Sequence, residues 1–188
     1  MCAPGKFSTV SKALTEGVCS SCAPGKFSIA SGPDAGVVCA LCPAGKYSAV
    51  TAAPNNSTCA ACLAGTYSEA VGLNHQDGCQ PCVPGKYSSG PGASRAQDCL
   101  SCPAGTYSGA SRATSADTCA PCPAGTFSVH LNATSLGFCV SCGAGKYSAR
   151  EDAPNSAFCL LCAAGTYSEL AVITRAQDCQ LCGTGKYS

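Results

Sequence analysis

The sequence predicts a small, disulfide-rich β protein built as an extended solenoid or rod of short hairpins. Three observations predict this fold class: 19 cysteines in 188 residues, a strict 20-residue period, and a shortage of large apolar side chains. Leu, Ile, Val and Phe together contribute only 28 residues, and Trp is absent. Because so few large side chains cannot fill a single core, covalent staples are expected to replace it.

The repeat is a pair of cysteines followed by a short motif, without one insertion or deletion along the chain. The second cysteine of each pair opens the motif C-x-x-G-[KT]-[FY]-S, which occurs ten times. Pro and Gly predict a turn, and the next residues predict a short strand with Lys or Thr outward, the aromatic ring inward on a disulfide, and Ser outward. About ten variable residues follow each Ser, and they predict a loop with at most a second short strand.

All the cysteines belong to this pattern, and we expect them to be oxidised. We expect each second cysteine to bond to the first cysteine of the next pair, which closes a loop that stabilises the fold by roughly 3 kcal/mol. Bonding inside each C-x-x-C is the alternative, and its ring is tight and easily reduced. Cys182 is then expected to pair with a cysteine further along a longer chain. The cysteines are Cys2, Cys19, Cys22, Cys39, Cys42, Cys59, Cys62, Cys79, Cys82, Cys99, Cys102, Cys119, Cys122, Cys139, Cys142, Cys159, Cys162, Cys179 and Cys182.

Zinc is the main rival to disulfides, because C-x2-C-x16-C-x2-C fits a four-cysteine site. Such a site uses two cysteine pairs, so alternate repeats should differ, and the Lys/Thr position shows no period of two. His75 and His130 stand at different positions of the repeat and are interpreted as exposed loop residues. The aspartates near cysteines, such as Asp98 and Asp178, are interpreted as turn or cap residues. We therefore expect no catalytic residues, no metal, no cofactor and no enzyme activity.

Charge and hydropathy indicate neither nucleic acid nor membrane as a partner. The net charge is +1 and only 11% of residues are charged, so no strongly basic surface is expected. Thr replaces the motif lysine in four of the ten copies, and we interpret that face as solvated. No apolar run reaches the length of a membrane span. Asn55, Asn56 and Asn132 begin N-x-[ST] triplets and are candidate glycosylation sites on variable loops.

The organisation predicted is one continuous array over residues 1–188, with partial repeats at both ends and no internal boundary. We expect it to be a segment of a longer array. Cysteine oxidation places it outside the cell or at the cell surface. Two strands per repeat would give a rod of roughly 90 Å, in which each repeat contacts mainly its neighbours.

The paired C-x-x-C followed by P-A-G-T-[FY]-S resembles the ephrin-receptor-like cysteine-rich repeat, a relative of growth-factor-receptor and TNF-receptor cysteine-rich modules. The motif is clearest from Cys102 to Ser108 and from Cys122 to Ser128. The resemblance covers the whole chain. Long arrays of such repeats are similar to those in large surface proteins of algae and other protists, which implies a filament such as a flagellar hair (mastigoneme).

Two functions follow as expectations. The first is a structural component of an extracellular filament or cell-surface assembly, with self-association or other extracellular structural proteins as partners. The alternative is a receptor or adhesion ectodomain stalk that binds a protein ligand. An adhesion site should carry exposed aromatic or Arg anchors, yet every aromatic residue except Phe138 and Phe158 sits at the motif position. That uniformity favours a structural role, and those two residues are candidates either for a lateral contact or for local covering of the disulfide.

Overall fold

A computed structural model describes residues 2–10, 15–29 and 39–186. The last two residues of the final motif copy, at 187–188, lie outside this part. The position of a residue in the repeat is the remainder when its number is divided by 20. The second cysteine of each pair is therefore at position 2, and the two residues inside the C-x-x-C are at positions 0 and 1. One repeat runs from one position 2 to the residue before the next, as in 2–21 and 22–41.

Each repeat forms one antiparallel hairpin of two-residue strands. The first strand is the motif's Lys or Thr with its aromatic residue, and the second is the pair of residues inside the next C-x-x-C. The strands are β1 (Lys6–Phe7), β2 (Ser20–Ser21), β3 (Lys26–Phe27), β4 (Ala40–Leu41), β5 (Lys46–Tyr47), β6 (Ala60–Ala61), β7 (Thr66–Tyr67), β8 (Gln80–Pro81), β9 (Lys86–Tyr87), β10 (Leu100–Ser101), β11 (Thr106–Tyr107), β12 (Ala120–Pro121), β13 (Thr126–Phe127), β14 (Val140–Ser141), β15 (Lys146–Tyr147), β16 (Leu160–Leu161), β17 (Thr166–Tyr167) and β18 (Gln180–Leu181). The predicted fold class of short disulfide-linked hairpins is confirmed.

A single turn of 3-10 helix precedes most first cysteines, and the described residues contain no α-helix. Short polar side chains explain where several of these turns begin: the Oδ1 of Asn55 and the Oγ of Ser115 accept the backbone N–H two residues on. The turns are Glu16–Val18, Asn56–Thr58, Gln76–Gly78, Ala96–Asp98, Ala116–Thr118, Leu136–Phe138, Ser156–Phe158 and Ala176–Asp178.

The chain divides into two compact units. The first contains Met1–Cys82 and Ser88–Cys99, and the second contains Val83–Tyr87 and Leu100–Ser188. Strands β1 to β8 pair consecutively in the first unit, and β9 to β18 pair consecutively in the second. Both units are therefore built from the same hairpin.

The core of both units consists of small residues and sulfur. The second cysteines from Cys2 to Cys122 are at most 2% exposed. They are accompanied by buried alanines at position 13, such as Ala53 and Ala133, and by the motif serine, such as Ser48 and Ser128. The expectation that staples replace a large apolar core matches this arrangement.

One local expectation was wrong, and the position of the second strand, which the sequence left open, differs from the variable stretch. The motif serine was predicted to face outward, but it is buried in every described repeat, while the Lys or Thr and the aromatic ring before it are mostly half-buried. The reason is that a two-residue strand has no sustained inner and outer face, and the serine ends the strand against neighbouring backbone. The second strand also lies inside the C-x-x-C, whereas the variable loop supplies only an isolated parallel bridge such as Phe27 with Ala53.

Candidate functional site

Successive repeats are joined by a seam of backbone groups at positions 2, 5, 8, 12 and 13, and the disulfide inside each repeat holds the hairpin that carries these groups. The structure joins Cys2 to Cys19, Cys22 to Cys39 and so on to Cys162–Cys179, each across 17 residues. The paired Cα atoms lie 5.4 to 5.9 Å apart, within the ordinary range for a disulfide. This is the pairing that the loop-length argument predicts. Each bond closes the two ends of one hairpin.

Backbone hydrogen bonds connect each repeat to the next. In the first unit the N–H of Gly25 donates to the carbonyl of Ser48 at 2.7 Å, and the N–H of Ser28 donates to the carbonyl of Ala53 at 3.0 Å. The N–H of Ala52 donates to the carbonyl of Cys22 at 2.8 Å. The second unit repeats the same bonds 80 residues on, from Gly105 to Ser128 and from Ser108 to Ala133. Because all these donors and acceptors are backbone groups, variation in the loop side chains leaves them intact.

Contacts also reach the next repeat but one, which the sequence pattern does not predict. The motif glycine at position 5 has a positive φ, as at Gly105 with φ 84°. A Cβ on Gly105 would lie 2.1 Å from the carbonyl oxygen of Asp152, which is 47 residues away. Gly25 and Gly72 stand in the same relation in the first unit, at 2.1 Å. Two backbones therefore touch at this point, and only glycine at position 5 leaves room for it.

The residue at position 12 is the one whose backbone contacts the position 5 glycine. It has the left-handed conformation although different residue types occupy it. Ala52, Arg112, Asn132 and Asp152 have φ values of 56° to 60°, and Gly72 has φ 72°. Glycine suits this conformation and Asn or Asp tolerates it, whereas Ala52 and Arg112 are held there because the seam fixes the backbone on both sides. The crossing is thus imposed by the contacts, with the side chain at position 12 free to vary.

The motif serine is a functional residue whose role sequence reasoning missed. Its hydroxyl accepts the backbone N–H two residues on, at 3.2 Å from Val50 to Ser48 and at 3.3 Å from Arg150 to Ser148. Its backbone meanwhile bonds the repeats on either side. The signal was present in the sequence, since a serine stands at this position in all ten motif copies.

The acidic residues near cysteines act as caps in the repeats that carry the Arg-Ala-Gln-Asp segment. The Oδ2 of Asp98 accepts the N–H groups of Ser94 at 2.8 Å and Arg95 at 2.9 Å, and Asp178 accepts from Arg175 at 3.0 Å. The hydrogen bond from the Ser94 backbone, followed by that from Arg95, holds the pKa of Asp98 below its usual value. The interpretation of these aspartates as caps is confirmed.

The three candidate glycosylation residues lie in different surroundings. Asn55 and Asn56 are exposed at the start of a 3-10 turn, and the Asn55 Oδ1 accepts the N–H of Ser57 at 3.0 Å. Asn132 is half-buried at position 12, where its backbone packs against Gly85. The Oδ1 of Asn132 is buried without a hydrogen-bond partner in the described part. Of the three amides, Asn56 is exposed and makes no hydrogen bond that ties it to its own turn.

Phe138 and Phe158, the two aromatic residues outside the motif, each have a partner at position 10 of their own repeat. His130 meets Phe138 edge to face with ring centroids 5.5 Å apart, and the Arg150 guanidinium lies 4.5 Å above the Phe158 ring. Arg150 also forms an ion pair with Asp152 at 2.7 Å. His75, the other histidine, is exposed and pairs with Asp77 at 3.0 Å.

Within residues 2–10, 15–29 and 39–186, no group of three or more His, Cys, Asp or Glu is arranged to hold a metal ion. The disulfides use the sulfur atoms that the four-cysteine zinc alternative would need as thiolates. No helix in the same ranges is long and apolar enough to cross a bilayer.

These features define a class: a disulfide-stapled tandem-repeat β protein whose repeats are joined by a backbone seam. No protein-family model matches the chain. No curated protein is significantly similar to it either. The class therefore rests on the geometry of the repeat itself.

Proposed function

We propose that the chain is a structural element of an extracellular filament or cell-surface assembly. The observation that carries the proposal is the seam, in which backbone groups at fixed positions bond to the next repeat and pack against the next but one. An array held in this way can be lengthened by copying one unit, which suits a polymer or a spacer of set length. The resemblance to ephrin-receptor-like repeats of algal and protist surface proteins makes a flagellar hair the specific example.

The seam also supplies a reason for the constant spacing between the motif and position 12. Surface loops ordinarily tolerate insertions, because the cost of loop closure grows slowly with length. Here the variable stretch must bring position 12 to a backbone crossing set by a glycine 47 residues earlier, as Asp152 does for Gly105. One extra residue before position 12 would displace that crossing, so register is under a geometric constraint.

An extracellular location belongs to the same proposal. Nine disulfides in the described residues persist only where thiols are not kept reduced. Glycans at Asn55 or Asn56 would then face solvent, whereas Asn132 is half-buried. Asn56 is the acceptor that we expect to be occupied, since its side chain is exposed and makes no hydrogen bond with its own turn.

Electron microscopy and small-angle scattering of the purified protein test the proposal. We expect filaments or rods, and a radius of gyration near ~26 Å, against about 16 Å for a compact globule of this length. Compact dispersed particles would contradict it. A glycine inserted between His130 and Leu131 should disrupt the particles, because it separates the contacts made by Ser128 and Asn132.

The matched control carries the same glycine between Thr134 and Ser135. Both insertions enlarge the Cys122–Cys139 ring by one residue, but the second leaves the spacing from Ser128 to Asn132 unchanged. It should assemble like the wild type. Equal damage by the two insertions would mean that ring size, and not the seam, sets the register.

The receptor or adhesion stalk is kept as a second candidate because of the two aromatic residues that leave the motif pattern. Phe138 is 38% exposed, and Leu131 and Leu136 in the same repeat are more than half exposed. Exposed aromatic residues of this kind anchor protein interfaces. Saturable binding of one soluble protein, abolished by Phe138→Ala, would favour this candidate over the filament.

A further inference from the structure

The charges of the chain are segregated by position in the repeat. Positions 0 to 8, which hold the C-x-x-C and the motif, contain no acidic residue in any copy, and their charged side chains are six lysines, all at position 6. All ten acidic residues lie between positions 9 and 18. The hairpins therefore present one sign of charge, although the whole chain is nearly neutral.

Three of these lysines, which we call the lysine column, occupy consecutive hairpins of the first unit: Lys6, Lys26 and Lys46. Their cross-strand partners are uncharged, namely Ser21, Leu41 and Ala61 respectively. The glycine before each lysine makes the same inter-repeat bond, with N to O distances of 2.7, 2.7 and 2.8 Å. The three charges therefore recur at the same position of three successive repeats, each after the same backbone bond.

Among the described residues, no acidic side chain neutralises the lysine column. No lysine in residues 2–10, 15–29 and 39–186 forms an ion pair within 4.0 Å, and every such pair there joins His or Arg to Asp. Several acidic groups are engaged locally, since Asp98 caps its turn, Asp152 pairs with Arg150, and Glu69 accepts the N–H of Ala96. The ten acidic residues also stand at positions that vary from 9 to 18. A second copy of the chain thus offers no regular row of free carboxylates to match the column.

Threonine at the same position behaves differently. The hydroxyls of Thr66, Thr106, Thr126 and Thr166 donate to the carbonyl three residues earlier, at 2.6 to 2.8 Å. Thr therefore satisfies its polar group within its own turn and carries no charge. Because Thr occupies the same strand in four hairpins, Lys→Thr is a substitution that the fold already accommodates.

We propose that the lysine column is a binding site for an anionic polysaccharide, sulfated or carboxylated, that runs along consecutive repeats. A polymer with charges at regular steps complements a row of cations at regular steps, and each contact releases condensed counterions. One charge per repeat makes the binding weak at each lysine, multivalent and sensitive to salt. The site is independent of the filament proposal, because a single chain carries the whole column.

Heparin is the probe for the sulfated class and polygalacturonate for the carboxylated class, with neutral dextran as the control polymer. Binding by the full chain is measured by titration calorimetry from 50 to 200 mM NaCl. The triple variant K6T/K26T/K46T should bind about 10- to 100-fold more weakly at low salt, and its slope of log K against log salt should be smaller by about 2.

Two matched variants make the test specific. One variant removes three positive charges that lie outside the column and should keep most of the binding; it combines Arg112→Gly, Arg150→Ala and Arg175→Ala. Thr66→Lys extends the column to a fourth consecutive hairpin and should tighten binding about threefold to tenfold, with a steeper salt slope.

The proposal is overturned if the wild type binds neither anionic polymer at 50 mM NaCl or binds dextran equally well. It is also overturned if the arginine variant loses as much affinity as the lysine variant, since net charge alone would then be responsible. Binding to vesicles that contain phosphatidylserine, without binding to either polysaccharide, would assign the column to a membrane surface instead. Circular dichroism and the disulfide map of each variant check that the fold is kept.

Discussion

Gly105→Ala is the substitution that tests the crossing between a repeat and the next but one. The alanine Cβ would lie 2.1 Å from the Asp152 carbonyl oxygen and 2.6 Å from its carbonyl carbon. Ordinary contacts between such atoms exceed 3 Å, so one backbone must move by about 1 Å, which typically costs about 1–3 kcal/mol. The left-handed φ of 84° adds about 1–2 kcal/mol for any residue with a Cβ.

Gly165 is the matched control, because it occupies the same position of the motif with φ 80° but a Cβ added to it would meet no atom within 4 Å. Gly165→Ala therefore carries only the conformational cost. We expect Gly105→Ala to lower the free energy of unfolding by about 2 kcal/mol more than Gly165→Ala. In a chain of this length that corresponds to a melting temperature lower by about 4–8 °C.

The assay is scanning calorimetry of the oxidised proteins, supported by hydrogen exchange of the amides that bond across the seam. The Asn132 N–H, which donates to Cys102, and the Asp152 N–H, which donates to Cys122, should exchange faster in Gly105→Ala. Equal melting temperatures for the two variants would refute the backbone crossing. Equal values would mean that glycine is needed at position 5 only because the backbone there has a positive φ.

Three further predictions concern position 12, the staples and the cap. Ala52→Gly should raise the melting temperature slightly, because it relieves a left-handed alanine. Gly72→Ala should lower it, because a residue with a Cβ is strained at φ 72°, whereas the exposed Leu41 side chain can move away from the new Cβ. A change of the same sign in both variants would contradict the account of this position. EDTA should leave the circular dichroism spectrum unchanged, whereas dithiothreitol should convert it to that of an unfolded chain, because the disulfides replace a core. Loss of structure in EDTA but not in dithiothreitol would restore the zinc alternative. Asp98→Ala should destabilise its turn at neutral pH, because the carboxylate accepts the backbone N–H groups of Ser94 and Arg95. These hydrogen bonds favour the charged form and hold the pKa of Asp98 below 3.8. This stabilisation is present above pH 3.8 and is lost as the pH falls through the lower pKa of the folded state. The difference in free energy of unfolding between wild type and variant should therefore become smaller at acidic pH. A difference that stays constant by calorimetry from pH 7 down to about 2 would contradict the prediction.

Much of the repeat could be predicted from the sequence because its determinants are local. The period, the hairpin at the motif and the staples follow from residue types at fixed spacing. The caps at Asp98 and Asp178 follow from short acidic side chains placed directly before a cysteine. In each case the partners lie within one repeat, where chain geometry leaves few alternatives.

What could not be predicted depends on contacts between repeats. The burial of Ser48 and its equivalents follows from backbone bonds to the repeats before and after, which alternation along a strand does not encode. The 47-residue crossing likewise needs two turns to be brought together in space. Its trace in the sequence is the glycine at position 5 of all ten motif copies, but a positive φ alone would also explain that glycine, so the contact cannot be recognised from it.

The central claim is that each disulfide spans one repeat, and tryptic digestion without reduction tests it directly. Trypsin cleaves after Lys and Arg, and these residues, such as Lys26 and Arg112, leave eight cysteine-containing peptides. Bonds between successive pairs, such as Cys102–Cys119, would hold all eight in one covalent assembly. Bonds inside each C-x-x-C would instead leave every pair within a single peptide.

The digestion is run in urea at mildly acidic pH after alkylation of Cys182, so that no thiol can exchange with a disulfide. Mass spectrometry should show one species that combines the eight peptides, and the addition of a reductant should release them all. Eight separate peptides before reduction, with each C-x-x-C pair oxidised internally, would contradict the account.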